Sequence, residues 1–213
     1  MKNRRTLVIA LAAAAVAIGG AAIALRAPNA EAAVQNGATA PGFSVVDSNG
    51  RTRTLDEFAG KTVVLEWTNH DCPYVKKHYN AGNMQALQRE ATSGGAVWLT
   101  VISSAPGKQG HVTGAAANQL TTSRSAAPTA VLLDESGAVG RLYAARTTPH
   151  MYVIGPDRKL VFQGGIDDRN SASAASLEGA RNYVREALTA VRAGRAPEVA
   201  AAPPYGCSIK YAG

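Results

Sequence analysis

Apolar and polar positions change rhythm repeatedly along this chain, and the changes mark its elements. After a polar lead-in over residues 33–41, Phe43-Ser44-Val45-Val46-Asp47 alternates as a half-buried strand does, and Ser48-Asn49-Gly50 forms a turn. Residues 54–58 suit one helical turn ahead of Gly60. Residues 62–67 (TVVLEW) are a short, largely apolar, β-branched run of the kind that fills a central buried strand. Helical signals follow over residues 74–92, with Pro73 suited to the first turn and Gly82 the point where a long helix would break. Residues 96–102 and 129–133 read as further buried strands, and Thr113 can cap a short helix over 114–124. A short helix over 137–143 precedes strands at 151–154 and 160–163, which Gly155-Pro156-Asp157 joins into a hairpin. Leu177, Ala180, Val184, Leu188 and Val191 have helical spacing and predict a closing helix over 177–191. Beyond Arg195 the chain is rich in Ala and Pro.

Strands alternating with helices, then a hairpin and a last helix, predict an α/β layered fold with a partly parallel central sheet. At 213 residues and 46% hydrophobic, the chain can bury one full core. The N-terminus stands apart. A basic head (Lys2, Arg4, Arg5), an apolar run over 7–25 and the small-x-small Ala30-Glu31-Ala32 have the layout of a secretory signal cut after Ala32. The apolar run also reaches the lower length limit of a spanning helix, so the alternative is an uncleaved anchor. In both cases the folded part is expected to be exported, periplasmic or extracellular, with membrane attachment only if the segment stays on. The expected organisation is a signal or anchor over 1–32, one domain over 33–194 and an Ala/Pro-rich tail over 195–213. Removing Lys2, Arg4, Arg5, Arg26 and Glu31 takes the net charge from +7 to +4. The remaining charges are scattered, which gives no basis for nucleic-acid binding.

Two cysteines in an exported chain point to a disulfide or a redox pair. Cys72 follows a buried strand and opens a helix, where unpaired N–H groups favour the thiolate, the nucleophilic form. His70, Lys76, Lys77 and His78 could add positive charge there, opposed by Asp71. Glu66 sits within the apolar run, where burial would raise its pKa and let it exchange protons with a nearby thiol. Proline at Thr148-Pro149 cannot donate to a ladder, so the turn before residues 151–154 is special, and a cis bond is a candidate.

In order and spacing these pieces resemble the thioredoxin-like superfamily, in particular its redoxin and AhpC/TSA branch, over residues 40–193. Ala40-Pro41-Gly42-Phe43, Asp47-Ser48-Asn49-Gly50 and residues 60–65 look like that branch's opening segment. Cys72-Pro73-Tyr74-Val75 looks like its Cys-Pro-x-Cys site with the second cysteine lost. Thr148-Pro149 falls where such proteins place a cis-proline facing the cysteine, and residues 153–161 match the hairpin that follows. The resemblance implies a thioredoxin-like fold: a central mixed β-sheet flanked by helices, here with an N-terminal extension and a C-terminal tail. It also implies Cys72 as nucleophile, Pro149 shaping its pocket, Glu66 assisting proton transfer, and Trp67, Asn69, Thr148 and Arg146 on the substrate's approach.

Two departures shift the expectation. Val75 removes the local resolving thiol, so that step falls to Cys207 or to a partner. Asn69 stands where peroxidases of this kind carry Thr or Ser, and Arg146 and Arg124 are candidates for their arginine. A mobile tail could bring Cys207 to the site. The alternatives are a permanent Cys72–Cys207 bridge, stabilising by about 5 kcal/mol from chain entropy alone, and no pairing of the two cysteines. The expected function is an exported thiol oxidoreductase acting on protein disulfides or hydroperoxides, with no cofactor. The alternative is a non-catalytic binding or copper-carrier module on the same fold, with His70, Cys72 and His150 as the candidate copper ligands. His78 is expected on a solvated helix face, and His111 in a loop.

Overall fold

A computed structural model of the protein describes residues 34–213, so the signal or anchor expected over residues 1–32 lies outside the described residues. At its centre is a five-stranded mixed sheet. Three of its strands are parallel: β3 (Val63–Trp67), β4 (Val97–Ile102) and β5 (Ala130–Leu133). The other two are antiparallel, β7 (His150–Ile154) and β8 (Leu160–Gly164), and the order across the sheet is β5-β4-β3-β7-β8. Every residue of β3, β4 and β7 is buried. Strands covered on both faces read as continuous apolar runs, as these do in the sequence.

The sheet separates two apolar layers. One gathers Leu65, Trp67, Leu99, Leu132, Tyr143 and Tyr152. The other gathers Val64, Cys72, Met84, Trp98, Phe162 and Leu188, under helices α1 (Pro73–Asn80), α2 (Asn83–Ser93) and α5 (Tyr183–Arg192). Full burial of a large aliphatic or aromatic side chain contributes roughly 1.5–3 kcal/mol, so these two layers dominate the stability of the fold. A small hairpin, β1 (Ser44–Val46) with β2 (Thr52–Thr54), precedes β3. Helices α3 (Gly114–Ser123) and α4 (Ala138–Leu142) follow β4 and β5.

Several expected boundaries hold. The long helix breaks at Gly82, which takes φ 71, and Thr113 caps α3 by accepting the Ala116 N–H. The closing helix differs. Residues Ala174–Leu177 form a separate 3-10 turn, and Gly179 at φ 64 interrupts the run. The helix starts only at Tyr183, where Asn182 accepts the Arg185 N–H at 2.9 Å. An apolar period continued through a glycine and a better cap, and the cap set the boundary.

The tail is the larger correction. Instead of hanging free, it is laid along the domain. Gln163 N–H donates to Ala200 O at 3.1 Å, and Ala202 N–H donates to Gln163 O at 3.1 Å. Farther on, β9 (Cys207–Ser208) pairs antiparallel with β6 (Thr147–Thr148), with Cys207 opposite Thr148. Tyr211 then donates its hydroxyl to Ala145 O at 2.8 Å, under the Arg141 guanidinium. Short strands such as β6 and β9 carry too little periodicity to be legible in the sequence.

Candidate active site

β3 ends at Trp67, and a tight turn carries the chain to Cys72. Asn69 builds that turn: its Oδ1 accepts the Asp71 N–H at 2.9 Å, and its backbone O accepts the Cys72 N–H at 3.0 Å. The Asn69 side chain is buried against Gly110, where a Cβ would collide with it. Cys72 is thereby set at the N-cap of α1, with Pro73 in the first turn. The Thr148–Pro149 bond is cis, and Thr148 stands beside Cys72. The Cys72 thiol donates to Thr148 O at 3.1 Å.

The pairing of β9 with β6 brings Cys207 into the same place. Its Sγ lies 2.7 Å from Cys72 Sγ, both as free thiols. Cys72 is fully buried, whereas Cys207 is partly exposed. The residue before Cys207, Gly206, takes φ 123, and a Cβ there would run into the Thr148 carbonyl. Only glycine lets the tail approach the strand this closely.

The two thiols are electrostatically unequal. Burial pushes the Cys72 thiol up. Hydrogen bonds from the Cys207 thiol, the Thr148 side chain and the backbone N–H groups of Val75 and Cys207 outweigh it and hold Cys72 below the ordinary cysteine value. Cys207 is pushed up to about 11, by burial and then by Cys72 beside it. Of the two thiols, Cys72 is therefore the one that loses its proton more readily.

Cations play little part in this. Lys76 and His70 face Asp71, at 3.9 and 3.5 Å. Lys77 and His78 turn the other way, which corrects both expectations for them. They are buried with Asp167 and Tyr205 in a polar cluster between α1 and the tail. Lys77 Nζ donates to Arg169 O at 3.0 Å and lies 3.7 Å from Asp167 Oδ2. His78 Nε2 lies 3.3 Å from the Tyr205 hydroxyl, and its Nδ1 meets Asn83 at 2.8 Å. Burial holds the His78 pKa at about 3, so the ring is neutral rather than solvated and charged. His111 is in a loop, paired with Glu135 at 2.9 Å.

Tyr205 sits two residues before Cys207 and is the main anchor of the tail. Its hydroxyl donates to Asp167 Oδ1. Its ring packs 5.9 Å from the Tyr74 ring, with Lys77 Nζ 5.1 Å above its face. Tyr74, Lys77 and His78 all belong to the helix that Cys72 opens, so Tyr205 indexes one cysteine to the other. An aromatic residue in an Ala/Pro-rich tail was the only sequence signal for this anchor.

The other expected residues scatter. Glu66 is fully buried, and its carboxylate accepts from Tyr79 at 2.8 Å, Gln88 at 3.1 Å, Trp98 at 2.8 Å and Thr100 at 3.1 Å. Burial raises its pKa. Its direct partners do not include Cys72; it reaches α1 through Tyr79. Trp67 points into the opposite layer, where its indole N–H donates to Ser103 Oγ at 3.0 Å, so it is a core residue and does not line an approach to Cys72. Arg124 donates to His70 O at 3.2 Å and covers the Tyr79 ring. Arg146 lies just before β6 and is exposed. Neither arginine is among the hydrogen-bond partners of Cys72 Sγ. His150 packs on Tyr152 in the layer opposite Cys72, and among the described residues no three His, Cys, Asp or Glu side chains gather as a metal cage.

Residues 36–163 match the AhpC/TSA family. The chain belongs to that family. The match stops short of the tail, so the family pattern covers Cys72 and Pro149 and leaves out Cys207. Solved structures extend the likeness to nearly the whole described chain. A hypothetical protein from Sinorhizobium meliloti is 22% identical, with a TM-score of 0.71 over 85% of this chain and 97% of its own. An uncharacterised conserved protein from Geobacillus kaustophilus is 24% identical, with a TM-score of 0.72 over 84% of this chain and 93% of its own. The thioredoxin domain of a thiol-disulfide oxidoreductase from Bacteroides vulgatus is 17% identical, with a TM-score of 0.50 over 69% of this chain and 98% of its own. A search of curated proteins gave no match. This AhpC/TSA member has the thioredoxin-like fold of thiol-disulfide oxidoreductases: a mixed central sheet flanked by helices, as its sequence suggested.

Proposed function

We propose that this protein is an exported thiol-disulfide oxidoreductase in which Cys72 is the nucleophile and Cys207 the resolving thiol. The contact of the two sulfurs at 2.7 Å, at the N-terminus of α1 and beside the Thr148 carbonyl, carries the reading. The Cys72 thiolate attacks a substrate disulfide, forms a mixed disulfide and expels one substrate thiolate. Cys207, after losing its proton, attacks the Cys72 sulfur and expels the second. The products are a Cys72–Cys207 disulfide and a reduced substrate. With the proton and leaving-group roles reversed, the same pair oxidises a dithiol.

Protein dithiols and disulfides are the favoured substrate class. Hydroperoxides suit the site less well, because the partners of Cys72 Sγ are Thr148 and Cys207 and no arginine stands among them. A copper-carrier role finds no support in the separation of His150 from Cys72 across the sheet. Pro149 shapes the pocket wall, Asn69 fixes the turn, and Thr148 supplies the backbone on which the tail lies. Glu66 acts from a distance as a buried acid and positions α1 through Tyr79. Export rests on the basic-apolar-small layout of residues 1–32, with membrane attachment only if that segment is retained. Among the described residues no helix is long and apolar enough to cross a membrane.

The test is peptide mapping after one equivalent of oxidised dithiothreitol or of hydrogen peroxide. The expected result is a Cys72–Cys207 disulfide formed rapidly with the dithiol oxidant and reversed by reductant. Cys207→Ser should instead trap a mixed disulfide on Cys72. A Cys72 that resists alkylation at neutral pH in the reduced protein would overturn the reading. A much faster reaction with peroxide would transfer it to peroxidase chemistry.

A further inference from the structure

The tail arches over a cleft of about 370 Å³ that no step above uses. Its walls include Arg146, His150, Gln163, Gly164, Pro203 and Pro204, and no acidic side chain lines it. The Arg146 guanidinium has neither an ion pair nor a hydrogen bond within the described protein, although most other arginines here are paired. His150 is 4% exposed and supplies the second polar group. Its Nδ1 accepts the Arg146 backbone N–H at 3.2 Å, which assigns the proton to Nε2. That Nε2–H has no protein partner, and the ring borders the cleft. The Arg146 charge lies close enough to oppose protonation of the ring, after burial has already lowered its pKa to about 3. A permanent cation and a neutral N–H donor thus border one half-open cleft, a donor set that fits a carboxylate.

The position of the cleft is informative. Arg146 immediately precedes β6, its carbonyl accepts the Ile209 N–H at 3.0 Å, and along the chain Cys207 falls between Ile209 and the Pro203-Pro204 segment that lines the cleft. We propose that the cleft is an anion subsite that seats the carboxylate of a small thiol or disulfide substrate beside the ribbon carrying Cys207. This rests on the reading of Cys72 and Cys207 as a redox pair. In the oxidised protein, the thiolate of the seated molecule attacks Cys207 Sγ, the less buried sulfur of the two. It forms a mixed disulfide there and expels Cys72 as thiolate. A second molecule then displaces Cys207, which leaves a small-molecule disulfide and both protein thiols. Cys72 is the better leaving group because its thiolate is the more stable one, so attack at Cys207 has the favoured direction.

The experiment has two arms. In the first, the Cys72–Cys207 disulfide is reduced by 3-mercaptopropionate and by 2-mercaptoethanol, which differ in the carboxylate. The ratio of the two rate constants should fall about tenfold in Arg146→Ala and less in Arg146→Lys, the size expected for one charge-assisted contact. Comparing variants cancels the intrinsic basicities of the thiols. An unchanged ratio overturns the proposal. In the second arm, propionate is titrated into the Cys72→Ser/Cys207→Ser protein while the His150 side-chain ¹⁵N resonances are followed. A saturable shift that Arg146→Ala abolishes supports the subsite. No shift, or an equal shift with chloride at the same concentration, overturns it. If propionate binds but no Cys72–Cys207 disulfide ever forms, the redox reading has failed and the subsite stands.

Discussion

Cys72 and Cys207 meet at one sulfur contact, but the chain holds them by different means. Cys72 is fixed by backbone: a fully buried strand on one side, a helix on the other, and the Asn69 turn between them. Cys207 is fixed by a two-residue ribbon, a glycine with no room for a side chain, and the side-chain cluster around Tyr205. Moving the first cysteine requires undoing the central sheet. Moving the second requires only local opening, which has a smaller free-energy cost than global unfolding. A resolving step needs this inequality, since one partner must stay in register while the other yields.

The largest effect should come from attacking the rigid side. Glu66→Ala strands four buried donors on Tyr79, Gln88, Trp98 and Thr100, and should destabilise the protein by about 3–5 kcal/mol. The check is the denaturant midpoint, with tail pairing and fold lost together. Acid should act on the seam between the two sides. His78 and His150 are both lowered from 6.5 to about 3, so the unfolded chain takes up protons first. Their contribution to stability is complete above pH 6.5 and is lost as the pH falls toward 3. Urea midpoints should therefore drop between pH 7 and pH 4, and less steeply in His78→Gln.

Changes on the compliant side should be smaller and should separate ordering of the tail from the fold. Gly206→Ala places a Cβ against the Thr148 carbonyl at a positive φ, for a cost of about 1–3 kcal/mol confined to the ribbon. The rate of Cys72–Cys207 disulfide formation should fall while the midpoint moves little. Tyr205→Phe removes the hydroxyl from Asp167 and keeps the ring on Tyr74, for about 1–2 kcal/mol. The Cys72 thiolate titration, followed by absorbance at 240 nm, should move upward as the donors on Cys207 withdraw. A purely structural tyrosine would leave it in place.

The same inequality explains what the sequence disclosed. Buried strands, the break at Gly82, the cap at Thr113 and the Cys72-Pro73 start of α1 are encoded locally, by period, glycine and proline. The fold was legible for that reason. Cys207 could be named as the only other thiol, but its route to Cys72 depends on Tyr205 meeting Asp167 and Lys77 from distant parts of the chain, and on a ribbon too short to have a period. Lys77 and His78 were misplaced because two polar residues on a helix ordinarily face water, and here Asp167 and Tyr205 satisfy them inside. Trp67 was misplaced by one step of strand alternation, which sends its neighbours Glu66 and Thr68 to the other face.

The ribbon between β9 and β6 also has a consequence for partners. Adding an extended segment to an exposed edge is a common way for one protein to bind another. Here the edge at Thr148 is already taken by the protein's own C-terminus. A tethered segment of this kind competes at an effective concentration on the order of millimolar. A partner protein at micromolar levels that adds a strand at this edge must first displace the resident tail. The tail therefore covers this edge as well as carrying Cys207.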